Sequence, residues 1–180
     1  VDMKQKFLYI CGKAGSGKTQ VALEICRRLK GRVQAGAGTG KAASNFCGPT
    51  IHGMFGWSFN FSEGQTLSGT KLTKFRADYE NIDTIVIDEA NSNAADILAH
   101  MDEYLRTGFN PKLPFGGKRM IFLGDPAQLP PVMGEPIDGQ GKGGWSMATK
   151  VRGSRGVRQW RMHATAKGQE LYRKYLAPNC

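Results

Sequence analysis

Eight residues, Gly12-Lys13-Ala14-Gly15-Ser16-Gly17-Lys18-Thr19, fit G-x-x-x-x-G-K-[ST], the spacing of a phosphate-binding loop. Glycines let backbone N–H groups converge on phosphate oxygens, and a helix starting behind the loop adds its dipole. An ammonium at Lys18 reaches the terminal phosphates of a nucleoside triphosphate, and the Thr19 hydroxyl offers a hard oxygen to Mg²⁺. Two carboxylates, Asp88 and Glu89, end the apolar run Ile85-Val86-Ile87. Asp88 is placed to hold Mg²⁺ through water, and Glu89 to orient and deprotonate an attacking water. Gly124-Asp125-Pro126-Ala127-Gln128-Leu129-Pro130-Pro131-Val132 carries a neutral amide, Gln128. It can hydrogen-bond a γ-phosphate or that water without neutralising Lys18. In Gly38-Thr39-Gly40-Lys41-Ala42-Ala43, a hydroxyl, an ammonium and free amides gather at a helix start. They suit either a second phosphate or an ordinary helix cap.

These groups need strands to hold them, and four short apolar segments supply candidates: Phe7–Cys11, Arg32–Ala37, Thr84–Ile87 and Met120–Leu123. Each ends where a motif begins. After the first motif, Val21, Ala22, Ile25, Cys26 and Leu29 recur at helical spacing until Gly31. Ala94, Ile97, Leu98, Met101 and Leu105 form one face of a second helix ending near Gly108. Strands alternating with helices predict an α/β fold, a three-layer α/β/α sandwich with a mostly parallel sheet. Ligands then bind beyond the carboxyl ends of the strands, where the motifs lie. In Ile51–Phe61, Phe55, Trp57, Phe59 and Phe61 alternate with Gly56, Ser58 and Asn60. That period reads as a half-buried strand whose aromatics enter the core or stack on unpaired bases, with the core favoured. Residues 124–144 hold six glycines and four prolines and read as a long loop. Thr165–Leu176 reads as a helix with Leu171, Tyr172, Tyr175 and Leu176 on one side.

One domain fits 180 residues. The net charge of +10 is uneven: residues 139–180 hold nine Lys/Arg against a single acid, Glu170. A polyanionic partner, most simply nucleic acid, explains that asymmetry, with a merely solvated basic face as the alternative. We divide the chain into a catalytic unit, 1–138, and a basic segment, 139–180, packed on or continuing it. Cys11, Cys26, Cys47 and Cys180 lack metal-ligand spacing, so no structural zinc is expected. Cys11 and Cys26 read as free thiols on apolar faces, which points to an intracellular, reducing compartment. No apolar run approaches the length of a membrane span, and no signal peptide is visible. The chain starts almost directly in its first strand, as if cut from something longer.

Taken together, Gly12–Thr19, Gly38–Ala43 with Thr50-Ile51-His52, Asp88-Glu89-Ala90, and Gly124–Val132 resemble motifs I, Ia, II and III of superfamily 1 DNA helicases. The match is to the Pif-type branch, near the RecD-like helicases, and covers about residues 6–133. The resemblance implies a RecA-like P-loop NTPase fold with ATP at Gly12, Lys13, Ala14, Gly15, Ser16, Gly17, Lys18 and Thr19. It implies Mg²⁺ at Thr19 and Asp88, catalysis by Lys18 and Glu89, and γ-phosphate sensing by Gln128. It also implies single-stranded DNA contact by Thr39, Gly40, Lys41 and His52. For His52 a satisfied internal histidine is the competing reading. The family unwinds DNA in the 5′ to 3′ direction and serves repair, recombination and telomere maintenance. That implies a nuclear setting first, with a mitochondrial, viral or mobile-element origin as alternatives.

The sequence also departs from the pattern. Such helicases build the ATP site between two RecA-like domains, and only one is legible here, so the second counts as an expected partner. The glutamine motif upstream of the first strand is missing. Asn91 and Ser92 stand where the family often has Ser-Met. Arg152, Arg155, Arg158 and Arg161 read as a nucleic-acid contact or an interface with further sequence, not as an arginine finger. Two other functions share parts of the pattern. A P-loop kinase uses the same ATP loop but gains nothing from Gly124–Val132. A non-catalytic nucleic-acid-binding remnant of a mobile-element helicase would not need Lys18, Thr19, Asp88 and Glu89 intact.

Overall fold

Burial on both faces is what the short apolar runs require, and a computed structural model of the chain provides it. The structure describes residues 6–45, 48–57, 67–125 and 164–179. Strands β1 (Phe7–Cys11), β2 (Val33–Ala37), β3 (Thr84–Asp88) and β4 (Arg119–Gly124) pair in the order β1-β4-β3-β2, all parallel. The three-layer α/β/α arrangement expected from the sequence is present. Every residue of the central β3 is buried. Its alternation sends Val86 to one face and Ile85 and Ile87 to the other.

Helix α1 (Lys18–Arg28) covers the Val86 face. Ala22, fully buried, lets it sit close above Val86, Ile121 and Leu123. On the opposite face, α5 (Ala95–Gly108) lays Leu98, Met101 and Leu105 against Ile85, Ile87, Met120 and Phe122. Each such side chain contributes about 1.5–3 kcal/mol by leaving water. The core extends under α4 (Gly69–Tyr79) through Phe75 and Tyr79. It closes with a helix over 164–171 that continues as a wider turn through Tyr172–Leu176. Leu171, Tyr172 and Leu176 are buried there, in line with the expected apolar side.

The strand expected across Ile51–Phe61 is not formed in its first half. Ile51–Phe55 is a short helix, α3. Thr50 caps it by accepting the N–H of Gly53 at 3.3 Å, and Gly56 ends it at φ 65. Local capping chemistry overrides the aromatic alternation, and the buried set becomes Ile51, Met54 and Phe55, a helical spacing. Trp57 is core, 5% exposed and stacked on Phe55 at 4.8 Å. Phe59 and Phe61 lie outside the described residues. The expectation for Cys11 also changes. Cys26 is a free thiol, but Cys11 is disulfide-bonded. An apolar position shows that a sulfur is buried and carries no information on pairing, so the cysteine argument for a reducing compartment falls. Among the described residues, no helix is long and apolar enough to cross a membrane.

Short helix α2 (Gly40–Asn45) follows β2 directly. The chain then returns alongside β2, where Thr50 bridges Ala37 and Ala37 N–H donates to Pro49 at 3.3 Å. The ends of β1, β2, β3 and β4 therefore open onto one edge of the sheet, and each leads into a motif.

Candidate nucleotide site

The β1–β4 ladder runs straight into the glycine loop, because Gly12 N–H donates to the Gly124 carbonyl at 3.2 Å. Beyond it, Gly15 and Gly17 take φ values of 76 and 88, a left-handed backbone that glycine adopts without strain. Gly17 caps α1 with no side-chain hydrogen bond, and the first turn of α1 carries no acidic residue. The helix start is therefore left to a ligand, with its dipole uncompensated. Lys13, Ala14, Gly15, Ser16 and Gly17 are exposed, while Lys18 and Thr19 are half-buried. Lys18 Nζ folds over the loop and donates to the carbonyls of Gly12 (2.5 Å) and Lys13 (2.9 Å).

The two strand-end motifs meet at a hydrogen bond. Thr19 Oγ1 donates to Asp88 Oδ2 at 3.0 Å, although 69 residues separate them. Asp88 is 4% exposed, and its other oxygen accepts the N–H of Glu89 at 2.8 Å. One hydroxyl and one carboxylate, both hard oxygens at the mouth of a phosphate loop, fit a Mg²⁺ that takes its remaining ligands from phosphate and water. Glu89 sits at the same edge with φ 52 and ψ 46, and its carboxylate accepts the Thr39 hydroxyl at 2.9 Å. Thr19 and Asp88 are thus in direct contact beside the loop that carries Lys18, and Glu89 meets Thr39, which the sequence reading places with the nucleic-acid contacts. Gln128 and the four arginines Arg152, Arg155, Arg158 and Arg161 lie outside the described residues.

Thr39, Gly40 and Lys41 are exposed at the sheet edge. His52 is less available: it is half-buried, lies edge-on to Trp57 at 5.9 Å, and burial lowers its pKa. Part of the basic segment is tied to the fold as well. Lys167, itself 44% exposed, reaches the fully buried Asp102 at 3.2 Å.

Two residues escaped the sequence reading. Asp125, 7% exposed, accepts the N–H of Ala14 through Oδ2 at 3.1 Å and so ties the β4 end to the phosphate loop. Its place in Gly-Asp-x-x-Gln was the available signal. Tyr9 donates its hydroxyl to Asn91, which is buried behind the Glu89 turn. That contact gives the polar side chain of Asn91 a buried partner.

Comparison with known proteins fixes the ancestry of this arrangement. Residues 1–141 match the family model of the PIF1-like helicases. The chain belongs to the PIF1-like helicase family. ATP-dependent DNA helicase PIF1 of Saccharomyces cerevisiae is 35% identical over 136 residues, 72% of this chain and 16% of the yeast protein. Its human counterpart is 32% identical over 133 residues, 72% of this chain and 21% of that protein. Among solved structures, Bacteroides Pif1 bound to ssDNA superposes with a TM-score of 0.62 at 31% identity, covering 73% of this chain and 31% of that one. The Pif1 helicase from Bacteroides in complex with ADP-AlF3 and ssDNA gives the same values. This PIF1-like chain therefore spans about a sixth to a fifth of the length of these curated relatives.

Proposed function

We propose that the chain is the nucleotide-binding motor domain of an ATP-dependent DNA helicase. The observation that carries the reading is the Thr19–Asp88 hydrogen bond with Glu89 next in the chain. It puts a magnesium-type oxygen pair and a candidate base beside the loop that grips phosphate. Gly12 to Thr19 bind the β- and γ-phosphates of ATP through backbone N–H groups, and Lys18 swings from its loop carbonyls to the γ-phosphate. Thr19 and Asp88 would hold Mg²⁺, which when bound offsets charge on the phosphates. Glu89 orients the attacking water and takes its proton, and Gln128 senses the γ-phosphate.

On the nucleic-acid side, Thr39, Gly40, Lys41 and His52 contact the single strand. The exposure of the first three supports this, as do the Bacteroides Pif1 structures that hold ssDNA. His52 has the weakest support, being half-buried against Trp57. A second RecA-like domain completes the ATP site. Translocation is 5′ to 3′, and the setting is nuclear or mitochondrial DNA repair, recombination and telomere maintenance. A kinase remains distinguishable, because its phosphoryl group would appear on an acceptor instead of as free phosphate.

The test is phosphate release by the full-length protein with and without single-stranded DNA. Glu89→Gln should lower the DNA-stimulated rate by about 10²-fold or more, the usual contribution of a general base. Hydrolysis at the wild-type rate would remove Glu89 from the mechanism.

A further inference from the structure

Two turns fifty residues apart are locked together beside the phosphate loop. Gly38 N–H donates to the Asp88 carbonyl at 3.2 Å, which carries the β2–β3 pairing past the strand ends. No side chain fits at Gly38, where a Cβ would lie 2.6 Å from Asn93 Nδ2. Asn93 Nδ2 and Ser92 Oγ in turn donate to the Glu89 carbonyl, at 3.2 and 2.7 Å. Glu89 is thereby held in a left-handed backbone that residues other than glycine rarely adopt. Its backbone is fixed from behind, and its carboxylate is fixed from the front by Thr39 Oγ1 at 2.9 Å.

Thr39 has a second duty. The same oxygen accepts the N–H of Ala42 at 3.2 Å and so caps the start of α2. A hydroxyl carries one proton. While that proton points at Glu89 Oε2, it cannot be given to anything that approaches Thr39 from solvent, where the residue is exposed. A phosphate oxygen of the single strand at Thr39–Lys41 and the carboxylate of Glu89 therefore compete for one donor.

We infer that Thr39 is a positioning residue that restrains Glu89, and that single-stranded DNA releases the restraint by accepting the Thr39 hydrogen bond in place of Glu89. The inference rests on the proposed roles of Glu89 in hydrolysis and of Thr39–Lys41 in DNA contact, and it supplies the link between them. In the DNA-free chain, Glu89 Oε2 is occupied by the hydroxyl and the carboxylate is pulled towards β2. When a backbone phosphate accepts from Thr39, the carboxylate can turn and offer both oxygens to water. The bond that Ala42 N–H donates to Thr39 Oγ1 is unaffected, so α2 keeps its cap through the exchange. DNA stimulation of ATP hydrolysis is then set by one hydrogen bond.

The experiment uses the full-length protein, with ATP hydrolysis measured with and without oligo-dT. Thr39→Val removes the proton, and Thr39→Asp removes it while keeping an acceptor for Ala42 N–H. Both should raise the DNA-free kcat by about tenfold, the effect of one hydrogen bond to a charged group, and shrink the stimulation ratio accordingly. KM for ATP should stay within about twofold, because Thr39 is not among the loop residues. Thr39→Ser keeps the hydroxyl and should restore the wild-type ratio. In a Glu89→Gln background, Thr39→Val should have no effect on the residual rate. A DNA-free rate that is unchanged or reduced in both the Val and Asp variants would overturn the inference, as would an effect that persists without Glu89. Those outcomes differ from a Glu89→Gln protein that hydrolyses normally, which would refute the catalytic reading itself.

Discussion

The hydroxyl of Tyr9 donates to Oδ1 of Asn91, and Gly124 lies directly against both. Tyr9 is on β1 just before the phosphate loop, Asn91 follows the Glu89 turn, and Gly124 is the last residue of β4. One contact thus holds three motif-bearing strand ends in register. A Cβ on Gly124 would stand 2.6 Å from Tyr9 Oη and closer still to Asn91 Oδ1.

Gly124→Ala should therefore destabilise the fold by about 1–3 kcal/mol through overpacking. Asn91→Ala should cost a similar amount, since the buried Tyr9 hydroxyl loses this acceptor. The double variant should cost clearly less than the sum, because the added methyl fills the vacated space. Urea denaturation of the four proteins measures the coupling. Simple additivity within about 0.5 kcal/mol would show that the three residues do not share a site.

Asp125 makes a second prediction about the same strand end. Its carboxylate holds Ala14 N–H at 3.1 Å and gives the loop a fixed base. Asp125→Ala should weaken nucleotide binding by about tenfold or more, the range for a hydrogen bond to a charged group. Asp125→Asn keeps a carbonyl oxygen for Ala14 and should lose less. Titration with a fluorescent ATP analogue distinguishes the two, and equal affinity for all three proteins would exclude an anchoring role.

Most of this arrangement was legible where local chemistry and tertiary position coincide. The four strands could be read because β3 and β4 are apolar enough to be buried on both faces and end in polar motifs. The Thr19–Asp88 contact joins two motifs whose place at strand ends could be read from the apolar runs before them. The misses came where a residue acts at a distance. The hydrogen bond from Thr39 to Glu89 could not be read from the motif that suggests DNA contact, because the pairing is created only when β2 and β3 become neighbours. Tyr9 looks like an ordinary core aromatic until Asn91 meets it from 82 residues away. The aromatic alternation after Ile51 misled because Thr50 and Gly56 cap a helix there, and caps act over three or four residues.

Acid should loosen the α3–α5 side of the core through His100. This ring is 1% exposed, packed at 4.5 Å from Trp57 and 4.6 Å from Tyr104. Burial first, then the charges of Lys167 and His52, hold its pKa down at about 3. Glu103 faces Nδ1 from 4.0 Å but is 47% exposed and too screened to offset this. The unfolded chain takes up this proton near pH 6.5, whereas the folded chain stays neutral until about 3. Between those values the unfolded state binds more protons, so the contribution is complete above pH 6.5 and declines as pH falls. The slope from this group approaches about 1.4 kcal/mol per pH unit. His100→Phe should flatten that difference when urea unfolding is compared at pH 7, 6 and 5. Parallel losses in both proteins would assign the acid sensitivity to other groups.

Asp102 gives the largest expected effect on stability. Its carboxylate is 0% exposed. It accepts the Phe115 N–H at 2.7 Å, both oxygens meet Arg106 Nε at 2.8 and 2.9 Å, and Lys167 Nζ lies at 3.2 Å. One residue thus joins α5, the turn leading into β4, and the helix over 164–171. Phe115 sits at φ 49, a strained backbone that its hydrogen bond to Asp102 helps to hold. Asp102→Ala leaves a buried N–H without this acceptor and two cations without their counter-charge, which should cost about 3–5 kcal/mol. Asp102→Asn should recover the share owed to Phe115 and none of that owed to charge. Lys167→Ala should cost under about 1 kcal/mol, since that side chain is 44% exposed and water screens it. Denaturant unfolding ranks the three variants. If Lys167→Ala cost as much as Asp102→Ala, the cluster would be held by the ion pair with the C-terminal helix, not by the Phe115 turn.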